Sequence, residues 1–397
     1  MRTLRVAIAG GGIGGLVLAL ALRERDIEVE VHEEAGELRE VGAAVALSAN
    51  GVRELERLGL REQLAAICTE PSALSVRRWA DGGSIVRAPI AEGERYRATF
   101  GAPYYGVHRV RLLAVLADAL GGEHITHGHR CVNADGEGDR ARLEFEGGER
   151  ISADVVVGAD GVHSEIRQGI AGDQPAVFSG TVGYRGLVRS VQLPSLPDRM
   201  ALQFWAGPGR HLLHYAIDGG EVINFLAVVR VPRWDAPAWM EPCPVQDAVD
   251  AFAGWHPAVT EMVGATEEGS RWALHDREPL ARWHAGRCVL IGDAAHAMLP
   301  HQGQGANQTI EDAVALALCL AEADPADPEP ALAGYEARRR ERTTRVQALS
   351  RWTADMLHLP DGPEIAKRDA RFADPYANLA WIHGHDVRRA AEAAMAT

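Results

Sequence analysis

The stretch Leu4-Arg5-Val6-Ala7-Ile8-Ala9-Gly10-Gly11-Gly12-Ile13-Gly14-Gly15-Leu16-Val17-Leu18-Ala19-Leu20 decides how this chain is read. A short apolar run ends in clustered glycines, and a longer apolar segment follows, which is the pattern of strand, tight turn and helix. Gly10, Gly12 and Gly15 fit GxGxxG: the first permits the turn, the second lets backbone approach a pyrophosphate, and the third allows close packing. The helix N-terminus is then the natural seat for phosphates. Residues 27–32 read as a second strand, and Glu33 ends it 18 residues beyond Gly15, where an acidic side chain meets a ribose hydroxyl. These features predict a βαβ unit that binds a dinucleotide. The alternative is a glycine-rich structural turn with Glu33 merely on the surface.

Working outward, residues 155–157 and 288–291 are further short, apolar, β-branched runs, each followed by Gly and Asp, as buried parallel strands often are. They are expected in the same sheet. Residues 176–231 instead alternate apolar and polar positions, with turns at Gly207-Pro208-Gly209 and Asp218-Gly219-Gly220, the pattern of antiparallel hairpins. Pro325 and Pro328 interrupt a helix that begins near Gly305, and an Arg-rich helix is expected over residues 331–356. The fold class that follows is α/β. A Rossmann-type domain is assembled discontinuously from residues 1–70, 106–175 and 276–330; an antiparallel-sheet substrate domain from 71–105 and 176–275 is inserted into it; a helical segment, 331–397, closes the chain.

Composition narrows the function. The 397 residues carry a net charge of −14, which disfavours nucleic acid and anionic membranes as partners. Lys367 is the single lysine, so arginine is the default cation here and no arginine is informative by type alone. The Arg338 to Arg345 cluster reads as a solvated helix face or as intramolecular salt bridges. Cys68, Cys131, Cys243, Cys288 and Cys319 are scattered without a CxxC pair, which argues against a disulfide framework or a metal site and points to a reducing cytoplasm. No run is long enough to span a bilayer, and no signal peptide is read.

Two further motifs sit at strand ends. Gly158-Ala159-Asp160-Gly161 brings an aspartate into a turn that opens a helix, where it binds a ligand or caps the helix. Gly292-Asp293-Ala294-Ala295-His296 is followed by Pro300-His301-Gln302-Gly303-Gln304-Gly305-Ala306-Asn307 and a long helix. Strand-end aspartates beside a glycine-rich loop suit a polyol and a ring.

Taken together, the glycine fingerprint, Val107-His108-Arg109, the GADG segment and GDAAH…PHQGQGANQ resemble the single-component FAD-dependent aromatic hydroxylases over about residues 1–350. Phe178 to Thr181, Ala251 to Trp255, Trp272 to Asp276 and Gly292 to Gln302 look most like salicylate hydroxylases. Tyr335 to Arg338 and the His211, Tyr215 pair are similar to 6-hydroxynicotinate monooxygenase. The resemblance implies non-covalent FAD, with Glu33 on the adenosine ribose, Arg109 and Asp160 near the ribityl and pyrophosphate, and Asp293 on ribityl or pyrophosphate oxygens. It places the flavin ring over the Pro300 loop, with Gly303 in that loop and the backbone N–H groups of Gly305, Ala306 and Asn307 suited to charge at N1 and the C2 carbonyl. His301 and Gln302 would border substrate, although a solvent-facing His301 is an equal reading.

In residues 210–216 a period of two puts His211, Leu213 and Tyr215 on one face. A histidine and a phenol facing the flavin can deprotonate a substrate hydroxyl; the bland reading is sheet core and a hairpin-tip histidine. The implied reaction is NADH- or NADPH- and O₂-dependent hydroxylation of a phenolic or heteroaromatic compound through a flavin hydroperoxide, with or without decarboxylation. No second fingerprint is present, in keeping with a nicotinamide that docks transiently. Two departures stand out: after Gly42, Ala44 replaces a usual glycine, and Ala46 stands where 6-hydroxynicotinate monooxygenase has histidine, which argues against a hydroxynicotinate substrate. The rival readings are a tailoring monooxygenase of a larger polycyclic compound and a non-catalytic flavin-binding protein.

Overall fold

The computed structural model describes residues 3–36, 44–172, 174–236 and 238–395; Gly42 lies outside them. The opening stretch forms strand Arg5–Ala9 and helix Ile13–Arg23, and the second strand spans Glu28–Glu33. Arg5–Ala9 pairs in parallel with Glu28–Glu33 on one side and with Val155–Gly158 on the other. The full sheet runs His284–Ala285, Cys288–Leu290, Val155–Gly158, Arg5–Ala9, Glu28–Glu33, Ile125–His127, with only the first pair antiparallel. Val6, Ile8, Val31, Val155 and Leu290 are wholly buried because helices cover the sheet, which is why these strands read as continuous apolar runs. Helix Ile13–Arg23 has nine of its eleven residues buried. Such all-round burial requires an apolar segment, and it packs against helix Gly305–Ala321.

The second layer is an eight-stranded sheet in the order Met240–Pro242, Ser270–Asp276, Val177–Arg189, Val222–Arg230, Arg210–Ile217, Leu202–Gly207, Ala73–Arg78, Ser84–Pro89. Ala73–Arg78 pairs with Leu202–Gly207 in parallel, a long-range join that the hairpin pattern does not foretell. One face packs Leu212, Phe225 and Trp205 against Phe252 and Met262 of the helical segment beside it. The opposite face carries Leu213 and Tyr215 towards the parallel-sheet half. Among the described residues four helices follow Pro328: Glu329–Leu357, Glu364–Phe372, Pro375–His383 and Val387–Met395. Among the described residues no helix is long and apolar enough to cross a membrane.

The arginine cluster is not a solvated face throughout. Arg339 is 1% exposed and bonds Glu311 (2.5 Å) and Asp312 (2.7 Å), both fully buried. It fastens the C-terminal helix to Gly305–Ala321.

Candidate active site

The segments that leave three parallel strands converge, and Gly12, Ala159, Gly161, Gly292 and Asp293 line one cleft of about 460 Å³. This is where an open α/β sheet binds its ligand. Gly10 has φ +110°, and a Cβ there would lie 2.3 Å from the Ala159 carbonyl oxygen, so the turn tolerates no side chain. At Gly12 a Cβ would meet nothing within 4 Å, which leaves an open cradle. Gly15 lies against the Gly10 carbonyl. Helix Ile13–Arg23 has no side-chain cap, so its first N–H groups remain for an anion.

Glu33 Oε2 accepts from the Gly11 N–H at 2.7 Å and Oε1 from Ala35 at 2.9 Å. It braces the glycine loop and keeps lone pairs for hydroxyl donors. Asp293 begins the short helix Asp293–His296 with its side chain exposed to the cleft. His296 behind it is buried on Asp312, 2.5 Å away. Arg109 lines the cleft from the start of helix Arg109–Leu120. Asp160 is different: its Oδ2 accepts from Glu165 (2.9 Å) and Ile166 (3.3 Å), so the carboxylate caps helix Glu165–Ala171 while its neighbours line the cleft. Burial raises its pKa.

Pro300, Gly303, Gly305 and Ala306 line the far wall. Pro300 starts a 3₁₀ turn, Gly303 ends it at φ +60°, and helix Gly305–Ala321 begins without a side-chain cap. Its leading N–H groups therefore face the cleft with nothing of their own helix to bond. Asn307 is anchored through its side chain. Its side chain is fully buried, accepting from Ser48 N–H (2.9 Å) and donating to Ala46 (3.0 Å) and Gly303 (2.8 Å) carbonyls. It clamps the loop to strand Ala44–Leu47 and leaves only its backbone for a ligand. A glycine cradle, two uncapped helix N-termini, Asp293 in the cleft and Glu33 on the glycine loop fit FAD.

A second cavity of about 580 Å³ opens on the other side of Gly303. Ala46, Leu213 and Gly303 line both, so the two spaces meet at this wall. The second cavity is mostly apolar, with Leu74, Val76, Leu202 and Phe204 from the large sheet and Trp352 and Trp381 from the C-terminal helices. His301 lines it and is 2% exposed, which excludes the solvent-facing reading. Gln302 borders it and donates to the Thr353 hydroxyl.

Tyr215 lines the cofactor cleft, and burial lifts its pKa, so the phenol stays protonated and acts as a donor, not a base. His211 shares its face but is covered by His301, with ring centroids 5.0 Å apart. Burial, with His301 and His358 nearby, holds His211 well below the ordinary imidazole value, so it is neutral at pH 7.

Sequence reasoning missed three features. Arg185 lies in the cleft over the Trp272 ring, 5.3 Å from its centroid. Arg345 stacks on Trp381 (4.1 Å) and Arg371 on Trp352 (4.7 Å) beside the second cavity. His358, at the end of the long C-terminal helix, bonds His211 across 147 positions of chain. Abundant arginine hid the first two, and sequence distance hid the last.

Comparison with known proteins agrees with this geometry. The family model described as "FAD binding domain" matches residues 3–350. A 3-amino-4-hydroxybenzoate 2-monooxygenase of Streptomyces cremeus is 41% identical over 386 residues, covering 96% of this chain and 95% of that one. A 6-hydroxynicotinate 3-monooxygenase of Pseudomonas fluorescens is 33% identical over 350 residues, 87% and 90% of the two chains. The solved salicylate hydroxylase substrate complex superposes with a TM-score of 0.85 at 29% identity, covering 98% and 97%. The chain belongs to the FAD-binding domain family, on its branch of FAD-dependent aromatic monooxygenases.

Proposed function

We propose that this protein hydroxylates a phenolic aromatic acid with NADH or NADPH and O₂, in the cytoplasm, at the junction of the two cavities. The observation that carries the reading is the shared wall of Ala46, Leu213 and Gly303, which sets an apolar substrate space against a dinucleotide cleft. FAD, when bound, supplies hydride acceptance and oxygen activation. Gly12 and the Ile13 N–H end would hold its pyrophosphate, Glu33 its ribose, and Asp293 its ribityl chain, with Arg109 beside them. Gly305 and Ala306 N–H groups would stabilise negative charge on its ring. The apolar walls exclude water from the reacting carbon. Tyr215 donates a hydrogen bond, and neutral His301, with His211 behind it, stands ready to take a proton from the substrate hydroxyl.

The 41% relative supports an aminohydroxybenzoate as the first compound to test. A larger substrate is the second reading, because about 580 Å³ far exceeds the ~150 Å³ that suffices for benzene. Arg345 and Arg371 would then meet a second acidic group. The test is substrate-stimulated NAD(P)H oxidation across single-ring hydroxybenzoates and extended two-ring acids, with product mass. Stimulation by one ring supports the first reading, and stimulation only by two rings the second. A yellow holoprotein that oxidises NAD(P)H equally with and without every acid would refute both.

A further inference from the structure

Three buried histidines from separate parts of the chain touch behind the substrate cavity. His211 Nδ1 lies 2.7 Å from His358 Nε2, and the His211 ring is 5.0 Å from His301 at 72° and 4.8 Å from His358 at 42°. Their exposures are 1% for His211, 2% for His301 and 3% for His358. Both nitrogens of His301 and Nδ1 of His358 are buried without a hydrogen-bond partner. Buried polar atoms are ordinarily paired, so a run of such atoms in one cluster calls for a reason. Metal binding is not that reason: among the described residues no set of three His, Cys, Asp or Glu side chains is arranged to hold an ion.

The cluster joins two spaces. His301 lines the substrate cavity, and His301 and His358 both line an outer cavity of about 700 Å³ on the far side of the Pro300 turn. That outer space is charged. Arg230 pairs with Asp355 at 2.5 Å, and Arg351 pairs with Asp276 at 2.5 Å and Glu278 at 3.1 Å, all around His358. The His358 carbonyl accepts from Gly209 at 3.0 Å, which ties the helix end to the turn before His211.

We propose that His301, His211 and His358 form a proton path from the substrate hydroxyl to the outer cavity, with His358 as its exit. The inference rests on the reading of a phenolic substrate. The phenol O–H bond breaks with its electron pair left on oxygen, and the proton bonds to a ring nitrogen of His301. His301 gives up the proton on its other nitrogen to His211, after a turn of its unpartnered ring. His211 passes its Nδ1 proton to His358 Nε2, and His358 releases its Nδ1 proton to water of the outer cavity once its ring turns that buried nitrogen outward. One proton leaves, no electrons are transferred along the path, and each ring ends neutral. Burial holds all three imidazoles low, with Arg230 acting further on His358, so each enters the sequence with one free nitrogen. His358 acts through His211 and does not touch substrate.

The test uses the FAD-loaded enzyme and 3-amino-4-hydroxybenzoate, mixed anaerobically without NAD(P)H, following the phenolate absorbance band. His358→Gln, which can still bond His211 but cannot pass a proton through a ring, should slow phenolate formation about tenfold or more while FAD affinity stays unchanged. His358→Ala should be equally slow and recover when imidazole is added, since the deleted ring borders the outer cavity. Phenolate formation at the wild-type rate in His358→Gln would overturn the path and leave His301 releasing its proton directly. Slowing without imidazole rescue, together with weakened FAD binding, would also overturn it, by showing a packing role. A wild-type enzyme that hydroxylates no aromatic acid would remove the phenolic reading itself, and the path with it.

Discussion

Replacing Arg339 by Met tests how helix Gly305–Ala321 is held. The guanidinium is 1% exposed and bonds Glu311 at 2.5 Å, Asp312 at 2.7 Å and the Gln308 side chain at 2.9 Å. Removing one partner of a buried ion pair typically costs about 3–5 kcal/mol, because the remaining charge stays desolvated. Here Glu311 keeps Arg342 at 2.7 Å, and Asp312 keeps Gly292 N–H at 3.0 Å and His296 at 2.5 Å. The loss should therefore fall near the lower end, about 3 kcal/mol. Urea unfolding of the FAD-saturated protein, followed by tryptophan fluorescence, reads it from the midpoint shift. Because Asp312 also anchors Gly292, the residue before Asp293, FAD affinity should drop in the same variant. Adding Glu311→Gln and Asp312→Asn removes the stranded charges and should recover part of the loss. A loss below about 1 kcal/mol, or no recovery on neutralising the carboxylates, would refute the reasoning.

Asp293→Ala should weaken FAD binding about 10- to 100-fold, the equivalent of one charge-assisted hydrogen bond of ~1.5–3 kcal/mol, measured by flavin fluorescence titration. His211→Ala should keep FAD bound and reducible while diverting reducing equivalents to hydrogen peroxide, with Tyr215→Phe showing a smaller version; peroxide yield against product checks both. Stability should fall as pH drops from about 6.5 towards 4: burial pushes His214, His358 and His383 down to about 3 and His301 to about 4, so the unfolded chain binds more protons in that window. Their contribution is full above the unfolded value, and each costs roughly 1.4 kcal/mol per pH unit within the window. Glu311 has the same sign at lower pH: burial raises it, but Arg339 and Arg342 outweigh that and hold it well below the carboxylate range. Urea midpoints that stay flat between pH 7 and 5 would count against the histidine part.

Local rules carried most of the parallel sheet. Gly10 announced the turn through a positive φ and a close approach that only glycine meets, Gly12 marked the open cradle beside it, and Val155–Gly158 was recognisable because a strand covered on both faces must be apolar throughout. The two-residue period in Arg210–Ile217 put His211 and Tyr215 on one face; Tyr215 lines the cleft, and His211 lies against His301 instead. Contacts between distant segments left no such trace. Nothing local marks Ala73–Arg78 as the parallel neighbour of Leu202–Gly207, or His358 as the partner of His211. For Asn307 only the backbone N–H was expected at the ligand, and the bonds of its side chain to Ala46 and Gly303 left no local trace either. For Arg339 the choice between a solvated face and a salt bridge stayed open, because its two carboxylates, though only 27 and 28 positions away, belong to another helix.

The central claim is that bound FAD, facing the apolar cavity across Gly303, directs oxygen from O₂ onto an aromatic acid. Isotope-labelled O₂ tests this most directly. The FAD-loaded enzyme is given NADH or NADPH and the acid that best stimulates oxidation, beginning with 3-amino-4-hydroxybenzoate, and the product is weighed by mass spectrometry. The account predicts one labelled oxygen atom per hydroxylated product, with none incorporated from labelled water. Product that takes its oxygen from water, or NAD(P)H oxidation that yields only peroxide with every acid tried, would contradict it.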